Sequence, residues 1–128
     1  MTTAVRKRPK HLDLTKIRLP LPGIVSILHR ISGAVLFLLV IPFGLAALQG
    51  SLDSAQGFDE WAGILGNPLV KLVAIGFGWA FMHHFFAGIR YLFLDVHKGT
   101  DLQTARLTSQ IVITLGLVST LLIAIKLW

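Results

Sequence analysis

The chain has 128 residues, 54% of them hydrophobic and 14% charged, with a formal net charge of +6. Soluble domains are about one quarter charged, so this composition excludes a disordered tail and a soluble enzyme and leaves an integral membrane protein of a few spans. There is no cysteine, which removes disulfides, thiolate metal or cluster sites and C-x-x-C-H attachment from consideration.

Residues 1–22 form a basic N-terminal segment. Arg6, Lys7, Arg8, Lys10, Lys16 and Arg18 are six of the twelve basic residues. Next to a membrane span such a cluster marks the cytoplasmic side rather than a nucleic-acid partner. Pro20 and Pro22 suit an extended approach followed by a helix start. A single membrane domain, residues 23–128, is expected to follow. Crossing the hydrocarbon core takes about 20 apolar residues, and the first qualifying run is about Gly23 to Leu48. It is too long for a signal peptide, and Pro42 inside it predicts a kink.

Gln49 to Asn67 reads as a loop with Asp53, Asp59 and Glu60 and no Lys or Arg. Asn67-Pro68 marks the start of a second span, about Leu69 to Leu94. The next loop carries Lys98 and Arg106 against Asp101, and a third span runs from about Leu107 to Trp128. The positive-inside rule puts the N-terminus and the second loop in the cytoplasm. Trp61 and Trp128 then fall near the outer interface, as interfacial or packing aromatics, and Lys71 and Lys126 snorkel there. The expected fold is all-α: three transmembrane helices in a bundle.

Ionisable groups inside a membrane are costly, so each is a functional candidate. Ser26, Arg30 and Gly33 share one helix face, and His29 lies about 60° to the side. Arg30 either snorkels to the cytoplasmic interface or is held in the bundle for an anionic ligand, with a serine hydroxyl one turn away. On the second span His84, Gly88, Tyr91 and Asp95 lie within about 40° of one another, and His83 points about 100° away. His84 is either a packing residue or a haem ligand with room left by Gly88.

Depth constrains the second reading. At 1.5 Å per residue, His84 lies about 16 Å from Asp95 and Arg30 about 10 Å from the start of its helix. The offset of about 6 Å is comparable with the reach from a haem iron to its propionates, so one haem could engage both residues. His29 is too shallow to share the iron with His84, and a second axial ligand would come from another chain. Arg90 and Asp95 read as ion-pair or interface residues. His11 and His97 lie outside the spans.

Arg8-Pro9, Leu12-Asp13-Leu14, Ile17-Arg18, Pro20 and the block Ser26-Ile27-Leu28-His29-Arg30 with Ser32-Gly33 resemble the N-terminal signature of a known family. It is the larger cytochrome b membrane-anchor subunits of succinate dehydrogenase, respiratory complex II. His84-x-x-x-Gly88-x-Arg90, ending in Asp95, resembles that family's haem-ligand region. The resemblance covers nearly the whole chain, and the first block is the more specific of the two.

The resemblance implies a bundle completed by a smaller anchor subunit, with one haem b shared between the two. His84 falls on the axial-ligand position. His29 and Arg30 fall where the family contacts the haem propionates. Ser26, Ile27 and Arg30 fall on ubiquinone-site positions. A flavoprotein and an iron–sulfur subunit would dock on the cytoplasmic side. The chain would then serve succinate:ubiquinone oxidoreductase as an electron-transfer and quinone-site subunit, without oxidising succinate itself. Ser26 would hydrogen-bond a quinone carbonyl, Arg30 would stabilise developing negative charge, and Asp95 is a candidate for proton delivery. One position departs from the family: Tyr91 stands where a histidine is common, and a tyrosine cannot carry a positive charge. The rival readings are an anchor for fumarate reduction by a quinol, and a haem-free structural membrane protein. Only about seven residues precede the signature, which favours a bacterial inner membrane over a mitochondrial one.

Overall fold

A computed structural model describes residues 17–128. The basic residues from Arg6 to Lys16 and the Arg8-to-Leu14 part of the signature lie outside the described residues, so most of the expected 1–22 segment does too. Among the described residues all regular structure is helical. The helices are α1 (Leu21–Val35), α2 (Ile41–Asp53), α3 (Ala55–Gly66), α4 (Pro68–Asp95) and α5 (Leu102–Leu127). Three continuous helical stretches are long and apolar enough to cross a membrane: Leu21–Asp53, Pro68–Asp95 and Leu102–Leu127.

The first of these is not a uniform α-helix. Leu36–Val40 forms a π-helical turn between α1 and α2, with the Ile41 N–H reaching back to the Leu36 carbonyl. Pro42 follows at the first turn of α2. Proline has no N–H to donate and its ring crowds the carbonyl four residues back, and the widened turn absorbs both. Beyond it the chain diverges: α1 packs on α4, whereas α2 packs on α3 and stands off from α4 across a groove lined by Pro42, Phe43, Val70 and Val73.

Residues 49–67, expected as a loop, contain the twelve-residue helix α3. Ser54 caps it by accepting the Gly57 N–H at 3.0 Å. Gln56 and Glu60, one turn apart, hydrogen-bond at 3.0 Å. The helix folds back on α2 because Gly50 has no side chain: its surface meets the Trp61 indole, and Gly57 sits against the Gly50 carbonyl. Trp61 also meets Phe43 edge-on, ring centroids 5.8 Å apart. It is therefore a packing residue of the α2–α3 hairpin. Trp128 is 71% exposed, and its ring lies 5.9 Å from the Lys71 ammonium, joining the start of α4 to the end of α5.

The other helix ends follow local rules. Asn67 accepts the Leu69 N–H at 2.9 Å ahead of Pro68. Asp101 accepts the Thr104 N–H at 2.9 Å, and this backbone donor holds its carboxyl below the usual range. α4 ends at a residue in the left-handed region, His97 with φ 57°. The His97 N–H bonds to Leu94 and the Lys98 N–H to Phe93, both at 2.9 Å. That pairing is a Schellman motif with histidine where glycine is usual.

The centre of the bundle is α4, which packs against both α1 and α5. Its buried residues are small or polar: Val25, Ser32, Ala80, His83, Ala87, Arg90, Ser109 and Val112. Gly116 of α5 lies against the His83 backbone. Small residues at the seams let membrane helices approach closely. The large apolar side chains mostly face outward, Phe37 at 69%, Leu92 at 67% and Ile125 at 66% exposure, as a lipid-facing surface requires.

Candidate functional site

Three rings form a column between α1 and α4. His29 lies in the middle, stacked on His84 with centroids 4.2 Å apart and planes 12° apart. On its other side is Tyr91, at 5.0 Å and 35°. The residue that departs from the family pattern thus supplies an aromatic face to His29. Gly33 makes the column possible. A Cβ there would lie 2.8 Å from His84 Cε1, so the histidine occupies the place of the absent side chain. Gly88 does the same more loosely for His29, whose Nε2 would be 3.7 Å from a Cβ at that position. The room at Gly88, read in the sequence as space for a macrocycle, is bordered by His29.

His84 Nδ1 lies 3.0 Å from the His29 carbonyl oxygen and 3.3 Å from Ser32 Oγ. Ser32 donates to the same carbonyl at 3.0 Å. A carbonyl only accepts, so Nδ1 of His84 carries the proton and Nε2 carries the lone pair. Among the described residues nothing hydrogen-bonds that Nε2. A histidine fixed through Nδ1 with Nε2 open is in the state of a metal-ligating imidazole with its outer partner in place. His29 cannot be the opposing ligand: axial nitrogens face each other across an iron, and these rings stack face to face. Among the described residues no cluster of three or more suitable side chains could hold a bare metal ion. The donor set offered is one imidazole nitrogen, which suits one axial position of a haem.

Arg30 is exposed, Ile27 is 36% exposed, and Ser26 is half-buried on α1. Ser26 and Arg30 lie one turn apart on α1, as expected from helical spacing, with Ile27 next to Ser26 in the chain, whereas Gly33, expected on the same face, packs against His84. Asp95 is exposed at the C-terminal end of α4.

Arg90, expected in an ion pair or interface, is 8% exposed between α4 and α5. Its Nε donates to Thr108 Oγ1 at 3.0 Å, and its guanidinium carbon lies 5.8 Å from the Tyr91 ring. His83 is 1% exposed and points away from the column. It stacks on Trp79 at 5.3 Å, and its Nε2 has no hydrogen-bond partner. Sequence reasoning gave no separate role to Ser32. Its position three residues after His29, inside the S-x-x-H-R-x-[ST]-G block, was the available signal.

Residues 4–123 match a family model described as "Succinate dehydrogenase/Fumarate reductase transmembrane subunit". The "Succinate dehydrogenase cytochrome b556 subunit" of Coxiella burnetii (strain RSA 493 / Nine Mile phase I) is 35% identical over 95% of this chain and 98% of its own length. Its namesake in Rickettsia felis (strain ATCC VR-1525 / URRWXCal2) is 26% identical over 91% of this chain and 90% of its own length. The Paracoccus denitrificans protein of the same name is 33% identical over 83% of this chain and 81% of its own length.

Proposed function

The chain belongs to the succinate dehydrogenase/fumarate reductase transmembrane subunit family, and from that membership we propose that it anchors a succinate:ubiquinone oxidoreductase in the bacterial inner membrane, its N-terminus cytoplasmic. In this reading it pairs with a smaller anchor subunit, carries the iron–sulfur and flavoprotein subunits on its cytoplasmic side, and contributes to a haem b site and a ubiquinone-reduction site. The observation that carries the proposal is the state of His84: Nδ1 held by the His29 carbonyl and Nε2 open.

His84 would be one axial ligand, with the second from the smaller anchor. Ser32 and the His29 carbonyl fix the imidazole's orientation and tautomer. Gly33 leaves room for the imidazole to sit in that tether. His29 and Arg30, one layer nearer the cytoplasm, would meet the propionates. The haem supplies a one-electron relay when bound.

The Ser26–Arg30 stretch of α1 would line the quinone pocket. Ser26 donates a hydrogen bond to one quinone carbonyl. The Arg30 guanidinium stabilises negative charge on that oxygen as electrons arrive from the iron–sulfur partner. Ile27 packs on the ring. Reduction to quinol takes two electrons and two protons, and exposed Asp95 at the cytoplasmic end of α4 would help deliver the protons. An exposed arginine in a membrane helix is otherwise costly. A pocket completed by a partner chain covers it.

The test is Arg30→Leu in the assembled complex. Ubiquinone reduction by succinate should fall at least about 100-fold, as when a charge-stabilising donor is lost, while succinate oxidation by an artificial acceptor stays near wild type. Equal loss of both activities would remove Arg30 from the quinone site.

A further inference from the structure

Arg90 is a cation without a counter-charge. It is 8% exposed, and its one hydrogen-bond partner among the described residues is the neutral Thr108 hydroxyl. Buried charges are paired or they are expensive. The two acidic residues nearest in sequence do not help: Asp95 is exposed, and Asp101 caps α5 through the Thr104 N–H. Neither lines the space beside the guanidinium.

That space is an open groove of about 350 Å³ between α4 and α5, several of its apolar walls exposed on the outer surface. Its walls are apolar, built from Phe86, Ile89, Phe93, Ile111 and Leu115, and no acidic residue borders it. Lys98 stands at the same groove, on the turn that follows α4. Arg90 lies five residues before the end of α4, about 7.5 Å along the axis, close to where a helix of 28 residues centred on a core of about 30 Å enters the headgroup region. His84 and Phe86 are two residues apart on α4, so the groove and the ring column lie on different faces of the helix.

We propose that this groove binds an anionic phospholipid, with its phosphate between Arg90 and Lys98 and an acyl chain along the Phe86–Leu115 wall. Two cations on an otherwise apolar groove, Arg90 partway along its wall and Lys98 at its end, match an anionic amphiphile, whereas free phosphate would leave the apolar wall uncovered. The bound headgroup supplies the anion that Arg90 lacks and ties α4 to α5.

The test measures lipid retained by the complex purified in mild detergent and washed. Native mass spectrometry and lipid extraction would compare wild type, Lys98→Gln, Arg90→Gln and Arg90→Lys after exchange with phosphatidylglycerol or phosphatidylcholine vesicles. Wild type should retain one phosphatidylglycerol per chain and at least ten times less phosphatidylcholine. Lys98→Gln and Arg90→Gln should each lose that preference at least tenfold, and Arg90→Lys should recover part of it. Millimolar inorganic phosphate should not displace the lipid. Equal retention of the two lipids by wild type would overturn the proposal. So would an unchanged preference in Lys98→Gln, a surface variant that tests the site even if Arg90→Gln fails to assemble. Displacement by phosphate would assign the site to a free anion, and a crosslink from Arg90→Lys to a partner subunit's carboxylate would assign it to protein.

Discussion

The Nδ1 of His84 donates to the main-chain carbonyl of His29 across 3.0 Å, so the tether between α1 and α4 does not depend on the His29 side chain. His29→Phe keeps the carbonyl and a flat ring in the column. The haem absorbance of the complex should survive that change, with any effect confined to the redox potential. Complete loss of absorbance, measured with the other subunits still assembled, would mean the His29 imidazole is itself a ligand.

Gly33 and Gly88 should respond differently to alanine. A Cβ at Gly33 comes within 2.8 Å of His84 Cε1 and 3.3 Å of Nδ1, so the ring must shift and its bond to His29 must weaken. A Cβ at Gly88 makes an ordinary contact at 3.7 Å. Gly33→Ala should reduce the haem-to-protein ratio severalfold, and Gly88→Ala should leave it near wild type. The pyridine haemochrome assay reads both.

His83 and His84 are neighbours with opposite expectations. His83 is buried with an unpartnered Nε2, so His83→Leu removes an unsatisfied polar atom at the cost of its stacking on Trp79. The net effect on stability should stay within about 1 kcal/mol, with the haem spectrum unchanged. Loss of the spectrum in His83→Leu, with retention in His84→Ala, would move the ligand to His83.

Helix ends offer tests of the fold alone. His97 holds φ 57° at the close of α4. His97→Gly relieves the left-handed strain and should stabilise the detergent-solubilised protein by up to about 1 kcal/mol, whereas β-branched His97→Val should destabilise it. Thermal unfolding separates the two.

Asp101 caps α5 as a carboxylate whose pKa lies below the ordinary value. Its contribution is complete above the unfolded-state pKa of about 4 and fades as pH falls through the lower folded value. Asp101→Ala should lower the melting temperature at pH 7, and the gap from wild type should narrow in acid below pH about 4. A gap that widens in acid would contradict the cap.

Much of this was legible in the sequence. The three spanning helices follow from uninterrupted apolar length, and the faces of α1 and α4 follow from 100° per residue. Helix α3 did not, because twelve residues with Asp59, Glu60 and three glycines (Gly57, Gly63, Gly66) resemble a loop until Gly50 and Trp61 are seen to meet. The π-helical turn at Leu36–Val40 was visible only as Pro42. The ring column was hidden for a different reason: depth along two antiparallel helices places His29 and His84 one layer apart, but only the packed structure puts His29 between His84 and Tyr91. The tautomer of His84 could not be read at all, since its partner is a backbone oxygen.

The most direct measurement is a reduced-minus-oxidised optical spectrum of the complex purified from its membrane, wild type beside His84→Ala. The wild-type protein should show a b-type haem signal that co-elutes with a flavoprotein and an iron–sulfur subunit, and His84→Ala should assemble with that signal lost or strongly altered. A wild-type complex without haem, or a His84→Ala spectrum identical to wild type, would contradict the assignment of His84 as the axial ligand.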